Sequence, residues 1–441
     1  MANKQSPVLI LGGGCWGLST ALHLNRLGYT DITVLERSET IPSPFSAAYD
    51  VNKIVRAEYE DGFYTGLALK AIEAWKTPLF GPYYHQTGYI VATTGAAPQK
   101  AVDHLEAALE TISKHPVFAP EIRSLEGKKA FQEYAWQFSG PLNGFKGYFN
   151  RIAGYAHSSN ALHGIWLHCA TKGVKFVTGE REGRVVELLY EEGSKTSSSE
   201  RRCIGAKTAD GKVHTANTTI CALGAQGASL IPSLGRFVVA RCWSVAHVQL
   251  TKAEVNLLRG LPTTNVRDLG FFFEPDPETN LFKLCPLGAG YTNTGANGLS
   301  LPPPDRLPPP QDFIPAEDER KLRRLLKEVF PWMADRPFVD QKLCWFADTA
   351  DSDYCIDFIP GTKNSLVVLS GDSGHGFKMM PVFGEWVAEL LDQGRQTEKR
   401  WQWKAGGGGD DWGDAVSWRI GKSRELRDLI KEKKRLEQAR L

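Results

Sequence analysis

The chain lacks several features that point to common classes of protein. Its 52 lysine and arginine residues are balanced by 50 aspartate and glutamate residues, so no excess charge indicates a nucleic-acid partner. No apolar run approaches the roughly 18 residues of a membrane helix, and the first residues carry no signal-peptide pattern. No internal repeat is visible. At 441 residues, the chain is expected to form two or three domains with a large core, without a membrane or nucleic-acid role.

Closely spaced cysteines are also lacking. The eight cysteines are scattered along the chain and include no C-x-x-C pair. In a chain of this size, that pattern indicates free thiols in a reducing compartment rather than a disulfide framework. We expect no bound metal.

A glycine-rich turn follows the first apolar segment. Residues 8–11 are predicted to form a strand, after which Gly12, Gly14 and Gly17 give the spacing G-x-G-x-x-G before an amphipathic helix. These glycines permit a tight turn, close approach of the backbone to a pyrophosphate, and close packing of helix on strand. A second predicted strand ends at Glu36, where an acid accepts hydrogen bonds from an adenosine ribose. The segment predicts a dinucleotide at the helix N-terminus and leaves NAD and FAD open.

Segments of α/β character occur at the start, the middle and the end of the chain. We assign residues 1–85, 150–235 and 341–400 to one discontinuous nucleotide-binding domain, and residues 86–149 and 236–340 to a substrate domain. The predicted fold class is α/β, a Rossmann-like FAD-binding domain interleaved with an α+β substrate domain on a mixed or antiparallel sheet. NAD dehydrogenases more often keep the nucleotide-binding unit contiguous, so this organisation favours FAD.

Six segments carry a resemblance over nearly the whole chain. They read "GGGCWGLSTALHL", "SAAYDVNKIVR", "GYFNRIAGYAHSSNAL", "DLGFFFEP", "LCWFADTADSDYCID" and "GDSGHGFKMMP". The chain resembles the fungal amadoriases (fructosyl amino-acid oxidases) and the monomeric sarcosine and pipecolate/saccharopine oxidases. The resemblance implies a monomeric FAD enzyme that oxidises the C–N bond of a secondary amine with O2, giving an imine and hydrogen peroxide.

The resemblance assigns cofactor roles to individual residues. Cys344 matches the cysteine that family members bond through sulfur to the flavin 8-methyl carbon, and Cys355 is the competing position. Lys283 matches the lysine near flavin N5, where a cation stabilises the negative charge that develops as O2 is reduced. Lys53 aligns with a basic residue over the flavin, and Ser46 begins a matching segment. Lys283 and Lys53 are therefore the expected catalytic cations, and Ser46 is an expected cofactor contact.

Two further residues are implied to form a carboxylate clamp. Arg56 aligns with the arginine that binds the substrate carboxylate in sarcosine oxidases, and Lys378, beside the flavin, aligns with its partner. A guanidinium can hold a carboxylate through two parallel hydrogen bonds, and a lysine adds a point charge. The turn Gly374-His375-Gly376 is expected to present backbone N–H groups to the flavin pyrimidine, with His375 structural. Phe346 is expected on the substrate side.

Departures from the family pattern bear on the substrate. Amadoriases carry an apolar residue in place of Arg56 and an acidic pair where this chain has Cys285-Pro286-Leu287, so a fructosyl substrate is in doubt. Sarcosine oxidases carry a tyrosine in place of Phe346 and a histidine in place of Leu287. We expect an N-methyl or N-alkyl amino acid, whose imine is hydrolysed or trapped in an isoquinoline-type biosynthetic ring closure. The alternatives are an amadoriase, a saccharopine or pipecolate oxidase, and a flavin dehydrogenase with a protein acceptor.

Residues 401–441 are predicted to form a tail with a basic, solvated helix. Its last residues, Ala439-Arg440-Leu441, fit a loose form of the tripeptide that the peroxisomal import receptor binds. A peroxisomal address suits an enzyme that produces hydrogen peroxide. An ordinary helix end is the alternative, with a cytoplasmic location.

Overall fold

Strands and helices alternate through the computed structural model, which describes residues 3–191, 200–304, 313–406 and 419–438. The predicted targeting tripeptide, Ala439-Arg440-Leu441, lies outside the described residues. The strands are β1 (Val8–Leu11), β2 (Ile32–Glu36), β3 (Lys53–Val55), β4 (Tyr84–His85), β5 (Tyr89–Thr93), β6 (Ile122–Glu126), β7 (Lys146–Asn150), β8 (Gly154–Ala156), β9 (Lys175–Thr178), β10 (Val185–Tyr190), β11 (Cys203–Thr208), β12 (Val213–Thr215), β13 (Thr218–Cys221), β14 (Val238–Gln249), β15 (Thr263–Val266), β16 (Gly270–Phe272), β17 (Leu281–Pro286), β18 (Tyr291–Thr292), β19 (Phe338–Thr349), β20 (Cys355–Phe358), β21 (Leu366–Ser370) and β22 (Arg424–Glu425). The helices are α1 (Cys15–Arg26), α2 (Gly62–Trp75), α3 (Gln99–Ser113), α4 (Gly127–Tyr134), α5 (Ser158–Thr171), α6 (Gly227–Leu230), α7 (Lys252–Leu257), α8 (Ala316–Val329), α9 (Phe383–Gln393) and α10 (Leu426–Gln438).

A six-stranded sheet collects strands from the start, the middle and the end of the chain. Its order is β20-β21-β13-β1-β2-β9, with every pair parallel except β20 and β21. All residues of β1 and β21 are buried, because helices and a second sheet cover the two faces. β1 lies between β2 and β13, so the chain order of the strands reverses beside β1. In open parallel sheets, ligands bind at the carboxyl ends of the strands at such a reversal.

Helices α1, α5 and α9 pack together on one face of this sheet. Leu22, Ile165 and Val387, one from each helix, belong to a single buried cluster. The other face is covered by the three-stranded sheet β10-β11-β12, whose Ala206 joins a cluster with Leu11 of β1. The apolar strands of the six-stranded sheet are therefore enclosed on both sides.

The larger of the two main sheets is mixed. Its order is β22-β18-β14-β17-β16-β15-β5-β7-β6, and β19 pairs antiparallel with β14 along most of its length. Pairs β15–β5 and β18–β22 are parallel, and the rest are antiparallel. Helix α8 packs on this sheet through Leu322, Leu325 and Val329. The predicted mixed sheet and the α/β fold class are confirmed by these strands.

The predicted division at residue 341 falls inside β19. Because β19 keeps its hydrogen-bonded ladder with β14 from Phe338 to Thr349, residues 341–349 lie in the larger sheet and not in the six-stranded one. The rest of the division into domains stays a prediction.

The end of the chain packs more closely than a solvated helix. β22 pairs with β18, and Leu426 and Leu429 of α10 are buried in a cluster with Cys242 and Phe313. Within the described ranges, no helix combines the length and the apolar character that a membrane crossing needs.

Candidate active site

The predicted glycine turn lies at the carboxyl end of β1. Gly12 has φ of 104°, in the left-handed region that favours glycine, and a Cβ on Gly17 would stand 2.0 Å from the Gly12 carbonyl oxygen. Glu36, at the end of β2, accepts a hydrogen bond from the Gly13 N–H at 2.9 Å. The turn therefore has the close packing of helix on strand that the spacing predicts.

The N-terminus of α1 opens at this turn. Gly14 precedes the helix and supplies no side chain to cap its first N–H groups. The Ser46 hydroxyl lies 3.4 Å from the point where a Cβ on Gly14 would stand, so Ser46 faces the same opening. Uncapped N–H groups and the helix dipole favour an anion. A pyrophosphate fits this opening.

Three lysines converge on one buried carboxylate. Asp50 Oδ2 lies 2.7 Å from Nζ of Lys283 and 3.0 Å from Nζ of Lys53, and its Oδ1 lies 4.0 Å from Nζ of Lys342. Lys283, in β17, also donates to the carbonyl oxygen of Asn52 at 2.6 Å. Both expected catalytic cations therefore lie in one cluster, which Asp50 holds together.

The charges in this cluster depend on one another. Burial favours the neutral form of Asp50, but the ammonium groups of Lys283, Lys342 and Lys53 hold its pKa well below the usual range. Burial lowers the pKa of Lys283, and the negative charge of Asp50 limits that fall. Burial also disfavours the charged form of Lys53, yet Cys344 and Asp50 raise its pKa above the usual value.

Cys344 lies beside this cluster. Its Sγ is 3.9 Å from Nζ of Lys53 and 3.4 Å from the Ala47 carbonyl oxygen, and its side chain is partly exposed. The competing Cys355 is fully buried in β20 within an apolar cluster, and burial raises the pKa of its thiol. Of these two thiols, only Cys344 is accessible from the lysine cluster.

A buried amide next to the cluster lacks a hydrogen-bond partner among the described residues. The side chain of Asn52 is 1% exposed, and neither its Nδ2 nor its Oδ1 makes a hydrogen bond within the described part of the chain. An unpaired buried amide costs free energy unless a ligand satisfies it. Together with Lys53 and Lys283, this amide gives a donor set that fits the polar edge of a flavin ring.

Arg56 and Lys378 meet at Tyr59. The Arg56 guanidinium lies 4.8 Å from the centre of the Tyr59 ring, and Lys378 Nζ donates to the Tyr59 hydroxyl at 2.9 Å. The nearby Glu58 carboxylate instead accepts hydrogen bonds from Asn150 and from the Ala57 N–H. The structure therefore brings the two residues of the predicted clamp together around a tyrosine.

The pKa of Lys378 reflects its burial and the nearby positive charge of Arg56. Burial, and then the positive charge of Arg56, hold the pKa of Lys378 well below its usual range. The acid Asp50, which could have paired with Arg56 or Lys378, is used by the lysine cluster instead. A substrate anion would relieve the repulsion between these two cations.

A cavity of about 260 Å³ opens beside Arg56. Its walls are rich in tyrosine, and five acidic residues lie among its lining side chains. It is lined by Arg56, Glu58, Tyr59, Glu60, Asp61, Tyr64, Tyr89, Val91, His104, Leu105, Ala108, Tyr148, Arg267, Asp351, Ser352, Asp353 and Arg400. Neither Lys378, which donates to the Tyr59 hydroxyl, nor Phe346, which is buried against the ring of Trp243, is among these lining residues.

The turn at residues 374–376, which follows β21 of the six-stranded sheet, borders the site. Gly374 has φ of 74°, and a Cβ there would stand 2.6 Å from the ring of Trp243, while a Cβ on Gly376 would stand 2.8 Å from the ring of Trp16. His375 Nδ1 contacts the hydroxyls of Tyr59 and Tyr354, each at 3.0 Å. Burial, and then the charge of Lys378, hold the pKa of His375 well below its usual range, so its imidazole is neutral.

Comparison with known proteins identifies the family. The model of the FAD dependent oxidoreductase family matches residues 7–390. The chain belongs to this family. The predictions of an FAD cofactor and of an α/β flavoenzyme fold are thereby confirmed.

Several relatives of this chain are named as oxidases of amino acids or amines. L-saccharopine oxidase of Schizosaccharomyces pombe is 30% identical over 428 residues, which cover 94% of this chain and 96% of that protein. Amino acid oxidase imqH of Aspergillus flavus is 27% identical, and the match covers 88% of this chain and 92% of that protein. Among solved structures, fructosamine oxidase (amadoriase II) of Aspergillus fumigatus is 34% identical, covers 97% of each chain and has a TM-score of 0.86. The predicted resemblance and the prediction of an FAD-dependent amine oxidase are confirmed.

Three features of the site were not predicted from the sequence. Asp50 organises the lysines, Tyr59 joins Arg56 to Lys378, and Arg267 lines the cavity. Asp50 and Tyr59 lie within ten residues of Lys53 and Arg56, so a search for polar neighbours would have found them. Arg267 follows a short strand far along the chain, and nothing in its local pattern distinguishes it.

Proposed function

We propose that this enzyme oxidises a secondary amine that carries a carboxylate, of the N-methyl or N-alkyl amino-acid type. The observation that carries the proposal is a pair of basic residues, the partly buried Arg56 and the buried Lys378, which both contact Tyr59. The neighbouring Glu58 carboxylate accepts its hydrogen bonds from other groups. A substrate carboxylate would satisfy both cations. The relatives named as saccharopine and amino acid oxidases support this class of substrate.

In this proposal the chain binds and orients the amine. Arg56 and Lys378 hold the carboxylate, and the tyrosine-rich walls of the cavity exclude water from the neutral amine. When bound, FAD supplies the two-electron oxidation of the C–N bond and passes the electrons to O2, so that amine and O2 give imine and hydrogen peroxide. Lys283, whose charged form the neighbouring Asp50 favours, lies where the resemblance expects O2 to be reduced. This charge favours O2 over a protein electron acceptor.

We further propose that Cys344 is the point of covalent attachment for FAD. Its partial exposure and its position beside Lys53 support the assignment, and the burial of Cys355 counts against the alternative. The substrate determines whether the imine is hydrolysed or closes a ring in secondary-metabolite biosynthesis. Peroxisomal import and a monomeric state remain predictions.

A deglycating activity is the second candidate, because the solved structures include amadoriase II. The segment after Lys283 argues against a deglycating activity. Cys285 and Leu287 are buried and apolar, and no acid stands there to recognise a sugar hydroxyl. Fructosyl amino acids are therefore expected to be poor substrates.

The experiment compares an N-methyl aromatic amino acid with its decarboxylated amine. The unmodified enzyme should be yellow, bleach anaerobically with the amino acid much faster than with the amine, and recover in air. Arg56→Ala should remove most of that preference, because truncating one partner of a buried charged pair costs roughly 2–5 kcal/mol. Arg151→Ala, at an exposed arginine, is the control and should keep the preference. Equal bleaching rates for the two compounds in the unmodified enzyme would contradict the proposal.

A further inference from the structure

Arg267 is a buried arginine that forms no ion pair at contact distance within the described ranges. It directly follows β15, where its N–H donates to the Ala92 carbonyl oxygen at 2.8 Å, and its side chain lines the cavity beside Arg56. The residue is 5% exposed, and its Nε and Nη2 make no hydrogen bond within the described ranges. Leaving such donors unpaired is costly, since a buried charge normally has a partner.

The neighbouring polar groups are engaged elsewhere. Asp268 accepts hydrogen bonds from the N–H and the hydroxyl of Thr94, at 3.0 and 2.6 Å. Glu60 forms an ion pair with His104. Among other acids that line the cavity, Asp61 pairs with Arg400.

The surroundings of Arg267 disfavour its positive charge. Burial lowers its pKa to about 10, and the positive charge of Arg56 acts in the same direction. Arg56 and Arg267 therefore repel each other across a cavity whose acids are bonded to other groups. An anion in the cavity would reduce the repulsion between these two arginines. In the proposed function, Arg56 already binds one anion, the substrate carboxylate.

We propose that Arg267 forms a second anion subsite, which binds a substrate carboxylate other than the one held by Arg56 and Lys378. This inference rests on the proposed function and narrows its substrate class to secondary amines with two carboxylates. The guanidinium has two donors, Nε and Nη2, that make no hydrogen bond within the described ranges, and a bidentate contact with one carboxylate uses two such donors. The second carboxylate then selects substrate without taking part in the oxidation.

The test uses matched acids and amides. N-methylaspartate, N-methylglutamate and N-(2-carboxyethyl)alanine are each compared with the ω-amide, which keeps the shape and removes the charge. In the unmodified enzyme, the best acid should have kcat/KM about tenfold to a hundredfold above its amide, as expected for a hydrogen-bonded charge. Arg267→Met should reduce this ratio to about threefold or less, mainly through KM.

Two further variants separate binding from folding. Arg267→Lys should keep part of the preference for the acid, and Arg259→Gln, at an exposed arginine, should keep all of it. Because Arg267→Met removes an unpaired buried charge, the ligand-free variant should unfold at the same or a higher temperature. A lower unfolding temperature together with an unchanged acid-to-amide ratio would overturn the inference and indicate a structural arginine.

The outcomes distinguish this inference from the proposed function. If amides and acids are oxidised equally well, the second subsite is wrong while the amine oxidase stands. If no compound bleaches the enzyme, the proposed function is wrong, and thermal shifts then decide the subsite. 3-(Carboxymethylthio)propionate, with sulfur in place of the amine, should raise the unfolding temperature of the unmodified enzyme more than its ω-amide does, and Arg267→Met should abolish that difference. Equal shifts by the two compounds would overturn the inference.

Discussion

At the scale of single residues, the charge of Lys283 has a specific expected role. Lys283 is 1% exposed and held between Asp50 and the Asn52 carbonyl oxygen, so its position is fixed before any reaction begins. Loss of a fixed charge where negative charge develops typically costs about a hundredfold in rate, or roughly 3 kcal/mol. Lys283→Met should therefore slow recovery of the flavin colour in air by about that factor and slow anaerobic bleaching much less.

Lys342 is the matched control for this prediction. It also lies near Asp50, at 4.0 Å, but its side chain is 29% exposed and reaches the Tyr49 carbonyl oxygen. Lys342→Met should leave recovery in air nearly unchanged. Stopped-flow absorbance measures both steps in each variant. Equal slowing of bleaching and recovery by Lys283→Met would place this lysine elsewhere in the reaction.

At the scale of secondary-structure elements, two strands explain why one cysteine is available to the cofactor and another is not. β19 carries Cys344 opposite Trp243 of β14, at the edge of the lysine cluster, whereas β20 carries Cys355 into an apolar cluster. FAD should therefore stay with the protein after acid precipitation, and Cys344→Ser should release it. Cys355→Ser should keep the flavin bound. Release of all flavin from the unmodified protein would contradict the covalent linkage.

The elements also show what could be predicted from the sequence. The strand of residues 8–11, the turn at Gly12 and the second strand ending at Glu36 were predictable, because apolar runs and glycine spacing are local signals. The pairing of β19 with β14 was not, because strand partners far apart in the chain leave no local signal. For the same reason, the meeting of Lys283 with Asp50 and the place of Arg267 in the cavity required the structure.

At the scale of the whole molecule, a buried ion network ties the end of the chain to both strands that frame the site. Asp348 of β19 is fully buried, pairs with Arg241 of β14 at 3.0 Å, and also pairs with Arg419 from the C-terminal segment. Both arginines are nearly fully buried as well. The network therefore joins the larger sheet to the segment that leads into α10.

Breaking this network should destabilise the molecule strongly. Asp348→Asn would remove the carboxylate that pairs with two buried guanidinium groups, a change that typically costs about 3–5 kcal/mol. Asp351→Asn is the matched control, because Asp351 pairs with Lys404 near the surface and such pairs contribute roughly 0–1 kcal/mol. Urea unfolding of the flavin-loaded proteins, followed by tryptophan fluorescence, measures both changes. If Asp348→Asn unfolds at the same urea concentration as Asp351→Asn, the network does not hold the C-terminal segment, and other contacts of β22 and α10 must do so.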